Sequence, residues 1–212
     1  MTVPDAIRTI SEDRALTVVR APDIPDAAAL AQALSDGGIR AVELTFTTPD
    51  VLRHIAVASG AGFLVGVGTV LTGDQAKQAI DAGARFLVTP GLRPEVAAVA
   101  SEADVPVLIG ALTPTEVQAA VDLGAAAVKI FPAKLFGPGY FKDLRGPYPD
   151  VPLVPSGGVN ASNAAAFLAA GALAVTAGTD VVPPALVAAG SFDDIRDRAA
   201  AFAAACAAPV TS

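Results

Sequence analysis

Four stretches of the chain share one grammar: LAQALSDGGIRAVELT, QAIDAGARFLVTP, VQAAVDLGAAAVKIFP and AAFLAAGALAVTAG. Each is a run of helical period, then a glycine, then a short apolar run. The glycine suits the left-handed position that ends a helix, and the apolar run reads as a strand buried on both faces. Between them lie FLVGVGTV, VPVLIGALTPTE and PLVPSGGVNAS, each a strand running into a turn and a helix start. About eight strands result, at 15–20, 40–46, 63–68, 85–89, 106–110, 126–131, 152–155 and 173–177, with helical patterns between them. Such alternation implies a parallel sheet covered by helices. Eight units in 212 residues match an α/β protein with a single (β/α)8 TIM barrel, residues 1–212 forming one domain. Further helices are expected at about 1–13 and 192–208. An open doubly wound sheet is the alternative, but no GxGxxG follows the first strand and polar residues mark strand ends along the whole chain.

Composition narrows the function. The net charge of −7 argues against nucleic acid, which wants basic faces. With one cysteine, Cys206, and one histidine, His54, neither an internal disulfide nor a Cys/His metal cluster can form, so no metal is expected. Cys206 lies in the Ala-rich AAFAAACAAP and reads as a packing residue; His54, in VLRHIAVA, reads as a helix-surface or flanking residue. The N-terminal MTVPDAIRTISEDRA has no apolar h-region, and the uncharged stretch 151–179 is broken by Pro152, Pro155, Gly157, Gly158 and Asn160. A soluble, cytoplasmic protein with no membrane association is expected. In LTPTE, Thr113, Pro114 and Glu116 fit a helix-starting capping box. Lys134, Lys142, Asp143 and Arg145 read as loop and helix-surface charges.

The stretch AAAVKIFP puts Lys129, one of four lysines, in the middle of a buried strand. A buried ammonium is costly unless it is paired or loses its proton. Side chains alternate along a strand, so Val42, Leu44 and Phe46 face the helices while Ala41, Glu43, Thr45 and Thr47 face the barrel interior. By the same parity Val128 and Ile130 face out, and Ala127 and Lys129 face in. Glu43 stands five residues after Gly38, and Lys129 five after Gly124; Val88 and Thr176 hold the same offset from Gly83 and Gly171. These four come from strands 2, 4, 6 and 8, and one layer of a barrel takes its side chains from alternate strands. Glu43 and Lys129 are therefore expected to approach each other across the barrel. An apolar pair would serve packing as well as a buried ion pair or better, which favours a functional reading.

An amine kept uncharged by an apolar site can attack a ketone, and a carboxylate beside it can move protons. Together they point to imine chemistry on a carbonyl compound with no cofactor. Gly157 and Gly158 follow strand 7, and Gly178 and Thr179 follow strand 8, the two loops between which barrel enzymes often hold phosphate. Thr69 adds a hydroxyl at the end of strand 3.

VELTFTTPD, GVGTV, VTPGL, GALTPTE, VKIFPAKLFGP and PSGGVN occur in that order. Over roughly 14–183 the chain resembles the class I 2-dehydro-3-deoxy-phosphogluconate aldolases, the KDPG/KHG aldolase family. The resemblance implies a homotrimeric barrel enzyme of the Entner–Doudoroff route, cleaving a phosphorylated keto-acid substrate to pyruvate and D-glyceraldehyde 3-phosphate. It implies Lys129 as the Schiff-base lysine and Glu43 as the general acid/base. Thr69 falls where the family holds the pyruvate carboxylate, and Gly157, Gly158 and Thr179 where it binds phosphate. Two positions depart from the pattern. Thr47 stands where some members carry a carboxylate-binding arginine and is counted with Thr69 and Arg20 as a carboxylate-binding candidate; Arg20, of inward parity on strand 1, is expected to supply the missing guanidinium. Asp180 stands beside the phosphate loops, where an inward carboxylate would oppose phosphate. The alternatives are the same chemistry on the phosphogalactonate epimer or on 4-hydroxy-2-oxoglutarate, and a non-catalytic phosphosugar-binding barrel.

Overall fold

The computed structural model describes residues 3–207, with side chains given from Ala6 onward. Eight strands run parallel: β1 (Ala15–Val19), β2 (Ala41–Thr45), β3 (Leu64–Gly68), β4 (Leu87–Val88), β5 (Val107–Ala111), β6 (Ala127–Ile130), β7 (Leu153–Pro155) and β8 (Val175–Ala177). Their order is β7-β6-β5-β4-β3-β2-β1-β8. The ring closes between β7 and β8, where the Leu173 N–H donates to the Leu153 carbonyl (2.8 Å) and the Thr176 hydroxyl to the Pro155 carbonyl (3.0 Å). This is the (β/α)8 barrel expected, each strand falling inside or within a residue of its expected range.

Helices α2 (Ala27–Asp36), α3 (Val51–Gly60), α4 (Gly73–Asp81), α5 (Pro94–Glu102), α6 (Pro114–Asp122), α7 (Gly137–Arg145) and α8 (Ala164–Ala169) join successive strands. Gly38, Gly83, Gly124 and Gly171 take φ of 89°, 105°, 79° and 96°. That left-handed geometry, free of penalty only for glycine, turns each helix back into its strand. At α6, Thr113 and Glu116 form the reciprocal capping box, with Pro114 in the first turn.

Strand parity divides the core in two. Val42, Leu44, Val128 and Ile130 pack outward against the helices, while Leu16, Ala41, Leu64, Phe86, Val88, Leu108, Ala127, Val154 and Ala174 fill the barrel. The first helix, α1 (Val3–Asp13), closes the N-terminal end of the barrel by burying Ala6 and Ile10 against that inner cluster. Arg40, just before β2, binds Asp13 and Glu12 and ties α1 in place. Beyond β8, α9 (Pro184–Ala188) and α10 (Phe192–Ala207) complete the chain. Residues 1, 2 and 208 of the two expected terminal helices lie outside the described residues. Among those described, no helix is long and apolar enough to cross a membrane.

Three side chains depart from expectation. Thr47 is exposed rather than inward, because β2 ends at Thr45 and alternation stops there. His54, expected on a helix surface, is only 8% exposed: with Val51, Ile55 and Ala58 it occupies the i, i+3, i+4, i+7 stripe that α3 turns to the core. Arg145, expected as a surface charge, is half-buried and donates to the carbonyls of Pro149, Val151 and Gly171, pinning the segment before β7 and the turn after α8. Cys206 is buried in α10 as expected, and burial pushes its thiol up to about 11.

The inner layer is filled unevenly. A Cβ at Gly66 would sit 2.2 Å from the Phe86 ring, so a glycine on β3 makes room for the one aromatic inside the barrel cluster. Phe86 is fully buried. Phe86→Ala is expected to cost about 3–5 kcal/mol of stability, read as a lowered urea midpoint with unchanged m-value. A midpoint within error of the parent would contradict this packing.

Candidate active site

A cavity of about 700 Å³ opens at the C-terminal end of the barrel. Lys129 projects into it from β6, 7% exposed, while Glu43, on β2 and 1% exposed, lies buried beside Lys129 and is not among the lining residues. The β5–β6 register sets Gly110 opposite Lys129, and the β2–β3 register sets Gly66 opposite Glu43, so small residues flank both. Their side chains meet, with Lys129 Nζ 4.0 Å from Glu43 Oε1. Gly68 makes this possible: a Cβ there would lie 1.7 Å from Glu43 Oε1.

Neither carboxylate oxygen of Glu43 has a hydrogen-bond partner among the described residues. Burial raises the Glu43 carboxyl above its ordinary value, opposed by the positive charges of Lys129 and then Arg20. The Lys129 ammonium also lies 5.6 Å from the centre of the Phe131 ring, within cation–π range. A basic nitrogen and a buried carboxyl thus stand side by side, with the Phe131 ring near the nitrogen.

Around them stand the other expected residues. Arg20, just past β1, lines the cavity and donates to the Thr69 hydroxyl at 3.4 Å. Thr69 has φ of 57°, a left-handed turn that ends β3 at the cavity wall. Thr47 is not among the lining residues: its hydroxyl bonds Thr45 at 2.9 Å, outside the pocket. Arg20 is among the lining residues, in keeping with the inward parity it shares with Leu16 and Val18.

The far wall is made by the loops after β7 and β8. Gly157 and Gly158 have φ of 86° and 84°, and Gly178, Thr179 and Asp180 complete that wall. Among the described residues, the N–H groups of Gly157, Gly158, Gly178 and Thr179 donate to no partner. Such amides, gathered on two adjacent loops, suit an anion. Asp180 also lines the wall, and its carboxylate accepts the Ala161 N–H at 2.9 Å.

The wall contains Pro90, Phe131 and Ser156, which sequence reasoning missed. The signal was present: each stands two residues beyond an inward side chain, namely Val88, Lys129 and Val154.

A barrel with a lysine–carboxylate pair at its open end, facing two glycine-rich loops, has the layout of an imine-forming enzyme for anionic substrates. The chain belongs to the KDPG and KHG aldolase family, whose model matches residues 7–198. It is 40% identical over 185 residues to a 2-dehydro-3-deoxy-phosphogluconate aldolase of Treponema pallidum, covering 86% of this chain and 88% of that one. A probable 2-dehydro-3-deoxy-6-phosphogalactonate aldolase of Rhizobium meliloti is 34% identical, covering 90% of each. Among solved structures, the KDPG aldolase of Legionella pneumophila, with pyruvate captured as a covalent carbinolamine, superposes with a TM-score of 0.85 at 27% identity, covering 93% of this chain and 97% of that one.

The pH dependence of stability follows from Glu43. A folded-state value raised above the ordinary 4.5 means that the native state prefers the protonated carboxyl. That preference contributes fully below 4.5 and is lost as pH rises through the raised value. Wild type is therefore expected to lose stability relative to Glu43→Gln as pH climbs from 4.5 toward neutrality. Urea midpoints of the two proteins measure the gap; a gap flat with pH contradicts the assignment.

Proposed function

We propose that Lys129 and Glu43 carry the retro-aldol cleavage of 2-dehydro-3-deoxy-6-phospho-D-gluconate to pyruvate and D-glyceraldehyde 3-phosphate. The activity is that of a class I, lysine-imine aldolase. The observation that carries the assignment of residues is the 4.0 Å approach of Lys129 Nζ to a Glu43 carboxylate with no other partner.

In the reaction, Lys129 as the free amine adds to the C2 ketone, giving a carbinolamine that loses water to a protonated imine. Glu43 takes the proton of the C4 hydroxyl. The C3–C4 bond breaks, its electrons pass into the imine as an enamine, and the aldehyde leaves. The proton on Glu43 returns to C3, and water hydrolyses the imine to release pyruvate and restore the amine. A carboxyl whose affinity for a proton burial has raised suits both accepting and returning that proton. Arg20 and Thr69 hold the pyruvate carboxylate, and Gly157, Gly158, Gly178 and Thr179 hold the phosphate. The enzyme works in the cytoplasm as a homotrimer, the assembly that its family resemblance implies; exposed Leu135 and Phe136 beside α7 offer apolar surface for it. Sedimentation equilibrium reads the subunit number directly, and a monomer would remove that part of the reading.

Borohydride added with pyruvate, followed by peptide mapping, is expected to leave a reduced pyruvyl adduct on Lys129 and none on Lys129→Ala. Glu43→Gln should still form the adduct while turnover falls about 10²–10⁴-fold. Folded wild-type protein without an adduct at Lys129 would put the phosphosugar-binding barrel in front. Arg20→Ala is expected to raise KM for pyruvate in the aldol direction about tenfold, the scale of one lost charge-assisted hydrogen bond. An unchanged KM would remove Arg20 from the carboxylate site.

A further inference from the structure

The wall that faces the substrate's tail combines groups that pull in opposite directions. Gly157, Gly158, Gly178 and Thr179 present backbone N–H groups with no acceptor among the described residues. Asp180 stands in the same wall, the one acidic side chain among the residues that line it. Its carboxylate is held by one neutral donor, the Ala161 N–H at 2.9 Å, which ties the loop after β8 to the loop after β7. The guanidinium of Arg198 approaches only the Asp180 backbone carbonyl, at 3.1 Å, and no lysine or arginine among the described residues pairs with the carboxylate. Further bonds lie within the tied loop: the Asn160 N–H donates to Asn163, Ser162 to Asn160, and the Asn163 amide to the Gly158 carbonyl. The Asp180 carboxylate is therefore held in place without a cationic partner among the described residues. The cavity's two cationic side chains, Lys129 and Arg20, are committed to Glu43 and Thr69.

We propose that Asp180 is a specificity-determining residue at the tail-binding end of the cavity. Its carboxylate lowers the affinity of that end for a dianionic phosphate and shifts the enzyme toward aldols whose tails carry less charge, such as the same six-carbon keto acid without its phosphate. The inference rests on the aldolase reading, because it assumes that the two glycine-rich loops receive the substrate's tail.

Asp180→Asn keeps an oxygen acceptor for the Ala161 N–H and removes the charge. The expected result is a rise of about fivefold in the ratio of kcat/KM for the phosphorylated keto acid over its dephosphorylated counterpart, carried mostly by KM. Inorganic phosphate titrated calorimetrically should bind tighter to the variant by a similar factor, a readout that needs no turnover. Asp180→Ser also removes the charge while retaining an oxygen, and carries the same expectation should the Asn variant not fold. An unchanged or lowered ratio with unchanged phosphate binding overturns the proposal. A wild-type protein that forms no pyruvyl adduct would instead overturn the aldolase reading, and the phosphate titration would still decide the role of Asp180.

Discussion

Everything at the open end of this barrel is arranged around a carboxylate and an amine buried 4.0 Å apart. Two such groups are expensive to remove from water, and each is stranded if the other is lost. Neither Glu43 oxygen has a hydrogen bond among the described residues, so the pair is poorly satisfied as a structural device. Burial outweighs the two nearby cations and raises the Glu43 carboxyl above its ordinary value. The fold carries this cost through two apolar clusters, one between strands and helices and one inside the barrel.

The two ends of the barrel divide the labour. At the N-terminal end, Ala6 and Ile10 of α1 seal the inner cluster, and Arg40 clamps the helix through Asp13 and Glu12. At the C-terminal end, strands stop early and backbone takes over. Thr69 and the glycines at 157 and 158 adopt left-handed φ, which turns their chains across the mouth. Sealing one end leaves the other free to keep polar groups without hydrogen-bond partners, the usual division in barrels of this kind.

Parity and repeat offset made much of this legible beforehand. Glu43 and Lys129 could be paired across the barrel because alternation along a strand and the five-residue offset from an αβ glycine are both fixed by backbone geometry. Arg20 could be aimed inward from Leu16 and Val18 for the same reason. Thr47 could not, because β2 ends two residues earlier and the rule loses its basis there. His54 was misjudged on residue type, when its place on the α3 stripe pointed to the core. Arg145 looked like a surface charge because its carbonyl acceptors come from the turns after α7 and α8, one of them distant in sequence.

The sequence by itself determined the barrel, the inward face of each strand and the family, since all three follow from short-range periodicity and local motifs. The tertiary structure decided distances and partners. It placed the Glu43 carboxylate in the space that Gly68 leaves and drew Arg20 to Thr69. It also set Asp180 on the Ala161 N–H. Those contacts join residues from different strands and loops, and their geometry depends on how the whole ring closes, which no local pattern encodes.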